Sequence, residues 1–381
     1  MNQKLRIGVI GIEEPEAGGA HSAETQMAAR LECLTEECEL VYISTGGSGL
    51  ISRLVGNKFR FLGQFSSLIF NNPASWFLTR RLKFLAYSRF ERGILRAKID
   101  LVFFVGQYDL AAKLRSTSYI VTIWDLGHRD LPELPEMSNN REFEYREWRI
   151  QNLAKKATYV IVDSEVTKSS LILLYGIKSE RIISIPFVAK VQNLKLTERR
   201  ENFAFYPAHF WSHKNHSILF YSIHYLLEKN IEPRQLVLTG LDMGSKKYLD
   251  ALIQELEIQD YVKYLGFVSR NELEELYRKA AVTVMPSLLG PTNLPPLESL
   301  SYGCPVVSSE NGSAHLEKYD SVIVLDPFDL EAWSKVMSSE FLFQPVDKDR
   351  FHKIQALMEE ENRNKLIQVI HDFNIISRTY K

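Results

Sequence analysis

Short apolar runs separated by helix-length stretches recur twelve times along this chain, in two cycles, and this alternation limits the possible folds more than any other feature. The first cycle has runs at residues 5–12, 39–45, 100–106, 119–126, 157–164 and 181–187. The second has them at 202–208, 235–240, 262–268, 281–287, 305–309 and 321–325. Strands alternating with helices imply a mostly parallel sheet covered by helices on both faces. The polar, charged stretch VAKVQNLKLTERREN separates the cycles and reads as a linker. At 381 residues and 45% hydrophobic, the chain exceeds what one core usually serves. The expected architecture is α/β: two doubly wound Rossmann-like domains facing across a cleft, at the carboxyl ends of both sheets. The expected boundaries are 1–188 for the first domain, 189–200 for the linker and 201–350 for the second. A helical segment follows at 351–381, probed by Ile354, Leu357, Met358, Leu366, Ile370 and Phe373 at helical spacing and expected to pack back toward the first domain.

Charge narrows the partners. Lys plus Arg total 46 against 47 for Asp plus Glu, a net charge of -1, which offers no global attraction for nucleic acid. Cys33, Cys38 and Cys304 lack zinc-ligand spacing and lie in or beside apolar stretches, so all three are expected to be buried, reduced thiols of a cytoplasmic protein. Residues 1–5 run directly into the first apolar run without a cleavage pattern, so no secretory signal is expected. No apolar run is long enough to span a bilayer.

The most informative local segment is GPTNLPPLESLSYGCPVV, residues 290–307, which follows the apolar run AVTVMPS. It reads as loop, helix, glycine stop, strand. Pro295 and Pro296 suit a helix's first turn, where a missing N–H costs little, and Gly303 suits its end. A helix beginning just past a strand's carboxyl end presents free N–H groups and a positive dipole end to a phosphate. Glu298 is placed to accept hydrogen bonds from ribose hydroxyls. Near the amino terminus, Gly18 and Gly19 precede a helix expected to begin near His21 or Ser22, and glycines there permit close approach to a phosphate.

Two doubly wound halves, the 290–307 segment, FYPAHFWSHKNH at 205–216 and SVIVLDPFD at 321–329 together resemble the retaining nucleotide-sugar glycosyltransferases of the GT-B fold, family 4. The resemblance covers nearly the whole chain, with the acceptor side in the first domain and the nucleotide sugar mainly on the second. It implies that Lys214 neutralises the donor diphosphate. His209 stands where the family has an arginine and carries charge only conditionally. Glu298 matches the second glutamate of the family's Glu, seven residues, Glu signature, whereas Gly290 replaces the first. The resemblance implies that backbone N–H groups of Thr292, Asn293 and Leu294 take over sugar and phosphate contacts. Where many members have His-Asp, this chain has Trp124 and Asp125, with His128 close by to serve instead. Gly266, Phe267, Val268 and Arg270 are implied to lie near the base.

The implied donor-binding set is therefore Gly18, Gly19, His209, Lys214, Gly290, Thr292, Asn293, Leu294 and Glu298, and the implied catalytic set is Lys214, His128 and Asp125. The implied activity is transfer of a hexose or deoxyhexose from a nucleotide-diphosphate sugar to a growing, lipid-linked glycan; a non-catalytic nucleotide-sugar or glycan-binding partner is the alternative. No metal or other cofactor is expected, because the only Asp-x-Asp, Asp347 to Asp349, sits in a polar segment that reads as a solvated loop. Residues 53–98 carry ten Lys and Arg, interleaved aromatics and Glu91 as the only acid. That pattern suits peripheral contact with an anionic membrane, on the inner face of the cytoplasmic membrane.

Overall fold

The computed structural model describes residues 4–11, 19–43, 88–106, 108–189, 200–290, 293–312, 316 and 318–379. The chain divides into two compact units, one of residues 1–124, 144–185 and 361–381, the other of residues 125–143 and 186–360. Residues 125–143 thus belong with the second unit.

In the first unit the strands are β1 (Leu5–Ile10), β2 (Cys38–Ile43), β3 (Leu101–Phe104), β4 (Ser118–Ile123), β5 (Tyr159–Val162) and β6 (Ile182–Ser184). They form one parallel sheet in the order β2-β1-β3-β4-β5-β6. Strands such as LVFF are apolar at every position because helices cover both faces of such a sheet. Ile7, Val9, Leu101, Phe103, Ile120 and Ile161 pack with Met27 and Leu31 of the helix Gly19–Glu32. Leu366, Val369, Ile370 and Phe373 of the long helix Lys348–Thr379 join the same core. Each such side chain, when fully buried, stabilises the fold by about 1.5–3 kcal/mol.

The second unit holds β7 (Glu201–Pro207), β8 (Gln235–Thr239), β9 (Val262–Tyr264), β10 (Ala280–Met285), β11 (Val306–Ser309) and β12 (Val322–Leu325). Its parallel sheet has the order β12-β11-β10-β7-β8-β9. Strand order reverses between β7 and β10, so the connections from these two neighbours leave in opposite directions. The crevice this opens at their carboxyl ends is where doubly wound sheets bind ligands. Tyr206, Leu219, Phe220, Ile223, Leu238, Val284 and Trp333 form its main core.

Four expectations need correction. Helix Gly19–Glu32 begins at Gly19 itself, since the first turn has no preceding N–H bonds to satisfy and tolerates glycine there. The run at 262–268 stays extended only to Tyr264, because Gly266 turns the chain at φ +73°. Cys33 is exposed, lying in the turn just beyond that first helix, while Cys38 and Cys304 are buried. Asp349 lies in the first turn of helix Lys348–Thr379, where Asp347 accepts the Arg350 N–H at 3.0 Å, so the pair starts a helix rather than a loop.

Candidate functional site

Two loops meet at the switch point of the second unit, residues 208–214 after β7 and residues 286–293 after β10. They are stapled together: the Leu288 N–H donates to the His213 carbonyl at 2.7 Å. The Tyr206 hydroxyl donates to the Lys214 carbonyl at 2.7 Å, fixing the loop to the end of β7. Asn215, at φ +51°, then turns the chain into helix His216–Glu228, and its side-chain amide donates to the Pro327 carbonyl. The first loop also needs Gly240 beside it, since a Cβ there would lie 2.4 Å from the Ala208 carbonyl oxygen.

Lys214 is therefore carried on a braced turn. Its Nζ reaches Asn293 Oδ1 at 3.3 Å and Ser287 Oγ at 3.5 Å, both neutral groups at long range. Burial lowers its pKa to about 8, against the opposing fields of Asp125 and Glu136. An ammonium that is partly desolvated and, among the described residues, bonded to neutral oxygens gains strongly from a phosphate placed beside it.

Residues 125–143 supply the acidic side. Glu136, in the short helix Pro135–Ser138, accepts both the His213 backbone N–H and its Nδ1 through Oε1, each at 2.8 Å. Burial by itself would raise the Glu136 pKa, but these bonds from His213 hold it at about 2. Burial lowers the His213 pKa, so the pair is an ionised carboxylate and a neutral imidazole that donates through Nδ1–H. Asp125 Oδ1 accepts the Gly127 N–H at 2.8 Å, and the Asp125 charge acts on both Lys214 and His213. His128 is 1% exposed, with its ring edge-on to Phe143 at 5.4 Å, so it sits within the packing of this segment. Burial raises the pKa of nearby Asp130, helped by the Asp125 charge.

Helix Leu294–Ser301 begins as expected, with prolines in its first turn and Gly303, at φ +73°, just past its end. Asn293 occupies the N-cap position, yet its side chain does not cap. It donates instead to the Gly290 carbonyl at 3.0 Å and accepts from Lys214. The helix's first N–H groups are thus left to other acceptors. Gly290 adopts φ +97°, a conformation that disfavours any side chain, so the loop is built around glycine here.

Not every expected residue joins this cluster. Glu298 is 17% exposed at its side chain and already bonded, through Oε1 to Arg270 Nη1 at 2.7 Å and through Oε2 to the Tyr277 hydroxyl at 3.1 Å. His209 accepts the Leu241 N–H at Nδ1, 2.9 Å away. An imidazole in that role is neutral with its proton on Nε2, so His209 acts here as a neutral group rather than a conditional cation. Leu294 is buried, Gly19 starts a helix of the first unit, and Gly18 and Thr292 lie outside the described residues. Glu136, His213 and Ser287 were not singled out by the sequence, although His213 directly precedes Lys214 and Glu136 falls in the same TIWDLGHRDLPELPE stretch as Asp125.

Residues 190–339 match the family described as Glycosyl transferases group 1. A glycosyltransferase from Rickettsia africae superposes over 100% of this chain and 99% of its own, with a TM-score of 0.61 at 16% identity. The lipopolysaccharide outer core galactosyltransferase WaaB superposes over 97% and 99%, with a TM-score of 0.62 at 15% identity. The second unit thus carries a Glycosyl transferases group 1 segment, and the chain as a whole has the two-domain α/β fold of these solved glycosyltransferases. Among curated relatives, this chain is 25% identical to the O-antigen chain mannosyltransferase RfbU of Salmonella typhimurium, over 58% of its own length and 62% of that protein. The matched region thus spans less than two thirds of RfbU. It is 23% identical to the O-antigen chain mannosyltransferase B of Escherichia coli, over 71% of each.

Proposed function

We propose that this glycosyltransferase moves a hexose or deoxyhexose, with retention of anomeric configuration, from a nucleotide-diphosphate sugar to a growing, lipid-linked surface glycan. The observation that carries this reading is the Lys214 ammonium, held toward Asn293 and Ser287 at the carboxyl ends of β7 and β10, both neutral bonding partners and its only ones among the described residues. In the reaction, the bond from the anomeric carbon to a diphosphate oxygen breaks and one to the acceptor oxygen forms. The acceptor proton passes to the leaving diphosphate, whose growing charge Lys214 and the first N–H groups of helix Leu294–Ser301 stabilise. No metal is needed in this scheme. Enzymes lower such barriers by about 8–23 kcal/mol, so these groups act jointly with the rest of the donor site. Glu298 reaches ribose hydroxyls while keeping Arg270 and Tyr277, since each carboxylate oxygen accepts more than one bond. Asp125 and His128, both on the 125–143 segment of this same unit, are the side chains assigned to the acceptor hydroxyl. Mannose is the first sugar to test, because two relatives are named O-antigen chain mannosyltransferases.

The acceptor proposal includes membrane contact through residues 53–98, of which 53–87 lie outside the described residues. In helix Arg89–Arg96, Glu91 is fully buried and accepts the N–H groups of Arg115, Ser116 and Thr117. The exposed face of this helix is left basic, with Arg89, Arg92 and Arg96. No helix among the described residues is long and apolar enough to cross a membrane. Co-sedimentation with anionic vesicles that weakens as salt rises is expected; none at low salt removes the membrane element alone.

The test of the main proposal is a thermal-shift panel of nucleoside diphosphates and their sugar conjugates, followed by product analysis with the stabilising donor. One selective stabiliser, released sugar of retained configuration and loss of turnover in Lys214→Ala are expected. No stabilisation by any nucleotide overturns the reading.

A further inference from the structure

The first unit has a switch point of its own. In the order β2-β1-β3-β4-β5-β6 the connections from β1 and β3 leave in opposite directions, so the carboxyl ends of these two neighbours open the crevice where a doubly wound sheet takes a ligand. Tyr108 and Asp109 stand four and five residues past β3, on the connection that leaves this point. Against them lies helix Glu142–Asn152, of sequence EFEYREWRIQN. It buries Ile150 and leaves Tyr145 and Trp148, one turn apart and both in the first unit, on an outer face. The two side chains are 41% and 43% exposed, and their rings lie 9° from parallel with centroids 6.4 Å apart. They are held in place. The Tyr145 hydroxyl donates to the Asp109 carboxylate, whose Oδ1 pairs with Arg149 Nε at 2.8 Å. The Arg149 guanidinium in turn lies 4.2 Å from the centroid of the buried Tyr108 ring and 5.5 Å from that of Tyr145.

Parallel aromatic rings kept open to water and fixed from beneath offer a flat apolar surface that loses little side-chain freedom on binding. Beside them stand a carboxylate, itself 43% exposed, and a guanidinium. This combination matches one ligand chemistry. One side of a pyranose is a patch of C–H bonds whose slight positive charge meets the negative face of an aromatic ring. Its hydroxyls donate to a carboxylate and accept from a guanidinium. An anionic membrane does not fit, because the helix sets Glu142, Glu144 and Glu147 against Arg146 and Arg149 and is not basic. An apolar protein partner would bury the Asp109–Arg149 pair without replacing its water.

We propose that Tyr145 and Trp148 form a platform on which one pyranose ring of the acceptor glycan stacks, with Asp109 and Arg149 bonding its hydroxyls. Asp109 has a second task, since its bond to the Tyr145 hydroxyl sets the angle of the platform. The proposal rests on the acceptor being a glycan, as read above, and does not depend on the donor site.

The test is saturation-transfer NMR of the intact protein, without nucleotide, against neutral trisaccharides of mannose, galactose, glucose and rhamnose. At least one should bind, with transfer strongest to the C–H protons of one ring face. Trp148→Ala should weaken that trisaccharide at least about tenfold, whereas Trp148→Phe, which keeps an aromatic face, should stay within about threefold of the parent. Asp109→Asn keeps the shape and loses the carboxylate, and should weaken the same trisaccharide at least about threefold, so the site is tested even where Trp148→Ala folds poorly. Lys214→Ala should bind it as the parent does. Three results would each overturn the platform: no trisaccharide binds, binding is undiminished in Trp148→Ala, or sedimentation shows an oligomer that Trp148→Ala dissociates, which would seat a second copy of the chain on the rings. Stabilisation by a nucleotide with no glycan binding removes the platform alone; glycan binding with no response to any nucleotide removes the transfer reaction and leaves the platform.

Discussion

Lys214 is the residue whose environment has the most direct kinetic consequence. With a pKa of about 8, it is mostly protonated at pH 7 and loses its charge as pH rises through 8, where an ordinary lysine stays charged past 10. If its charge stabilises the leaving diphosphate, kcat/KM should fall on an alkaline limb near pH 8, and Lys214→Arg should move that limb out of range because arginine does not titrate there. Lys214→Ala should lower turnover by about 10²–10³ with little change in unfolding midpoint, measured by donor consumption and denaturant titration side by side. Gly290 gives the opposite type of test. Placing a glutamate there with Gly290→Glu should not improve activity, because φ +97° and a Cβ only 3.3 Å from Asn293 Oδ1 make any side chain strained. A loss of about 1–3 kcal/mol in denaturant stability is expected, with weaker donor stabilisation. A more active Gly290→Glu enzyme would mean that the loop is not built around glycine.

Among elements, the bond between helix Pro135–Ser138 and the turn carrying Lys214 is the one to break. The Glu136 pKa of about 2 lies below its usual value of about 4.5, so ionised Glu136 stabilises the fold in full above pH 4.5 and this contribution is lost as pH falls toward 2. Glu136→Gln should therefore flatten the acid limb of stability over that window, seen by circular dichroism across pH. Glu136→Ala should also depress kcat/KM, since it frees the His213 N–H pair that braces Lys214. The bond joins residues 77 apart in sequence, which is why it was not legible beforehand: a Pro-Glu pair in a turn-rich stretch has no periodicity to betray its partner. Strands were readable because buried parallel strands must be apolar at consecutive positions, as AVTVM and LVFF are. Lys214 and Asn293 were readable as loop residues just past two strands. The occupancy of Glu298 was not, because Arg270 and Tyr277 reach it from a different helix, and no local pattern records which side of that helix faces it.

At the scale of the whole molecule, each compact unit is assembled from separate stretches of chain, residues 1–124, 144–185 and 361–381 in one case and 125–143 and 186–360 in the other. Leu366, Val369, Ile370 and Phe373 are at most 6% exposed within the first unit. At about 1.5–3 kcal/mol each, their removal rivals the 5–15 kcal/mol that holds a typical domain together. Termination after Glu360 should thus cost the first unit its cooperative unfolding and its slow amide exchange in β1 and β3, while β7 and β10 remain protected; retained protection in β1 would refute the assignment of these four side chains to its core. The same arrangement has a temporal side. A ribosome that has released β6 needs roughly 10–40 s to deliver residues 361–381, at the ordinary pace of synthesis. For that interval six apolar strands wait without the helix that closes over them, so the nascent chain, rather than the finished protein, is where slow translation or scarce chaperone would be felt first.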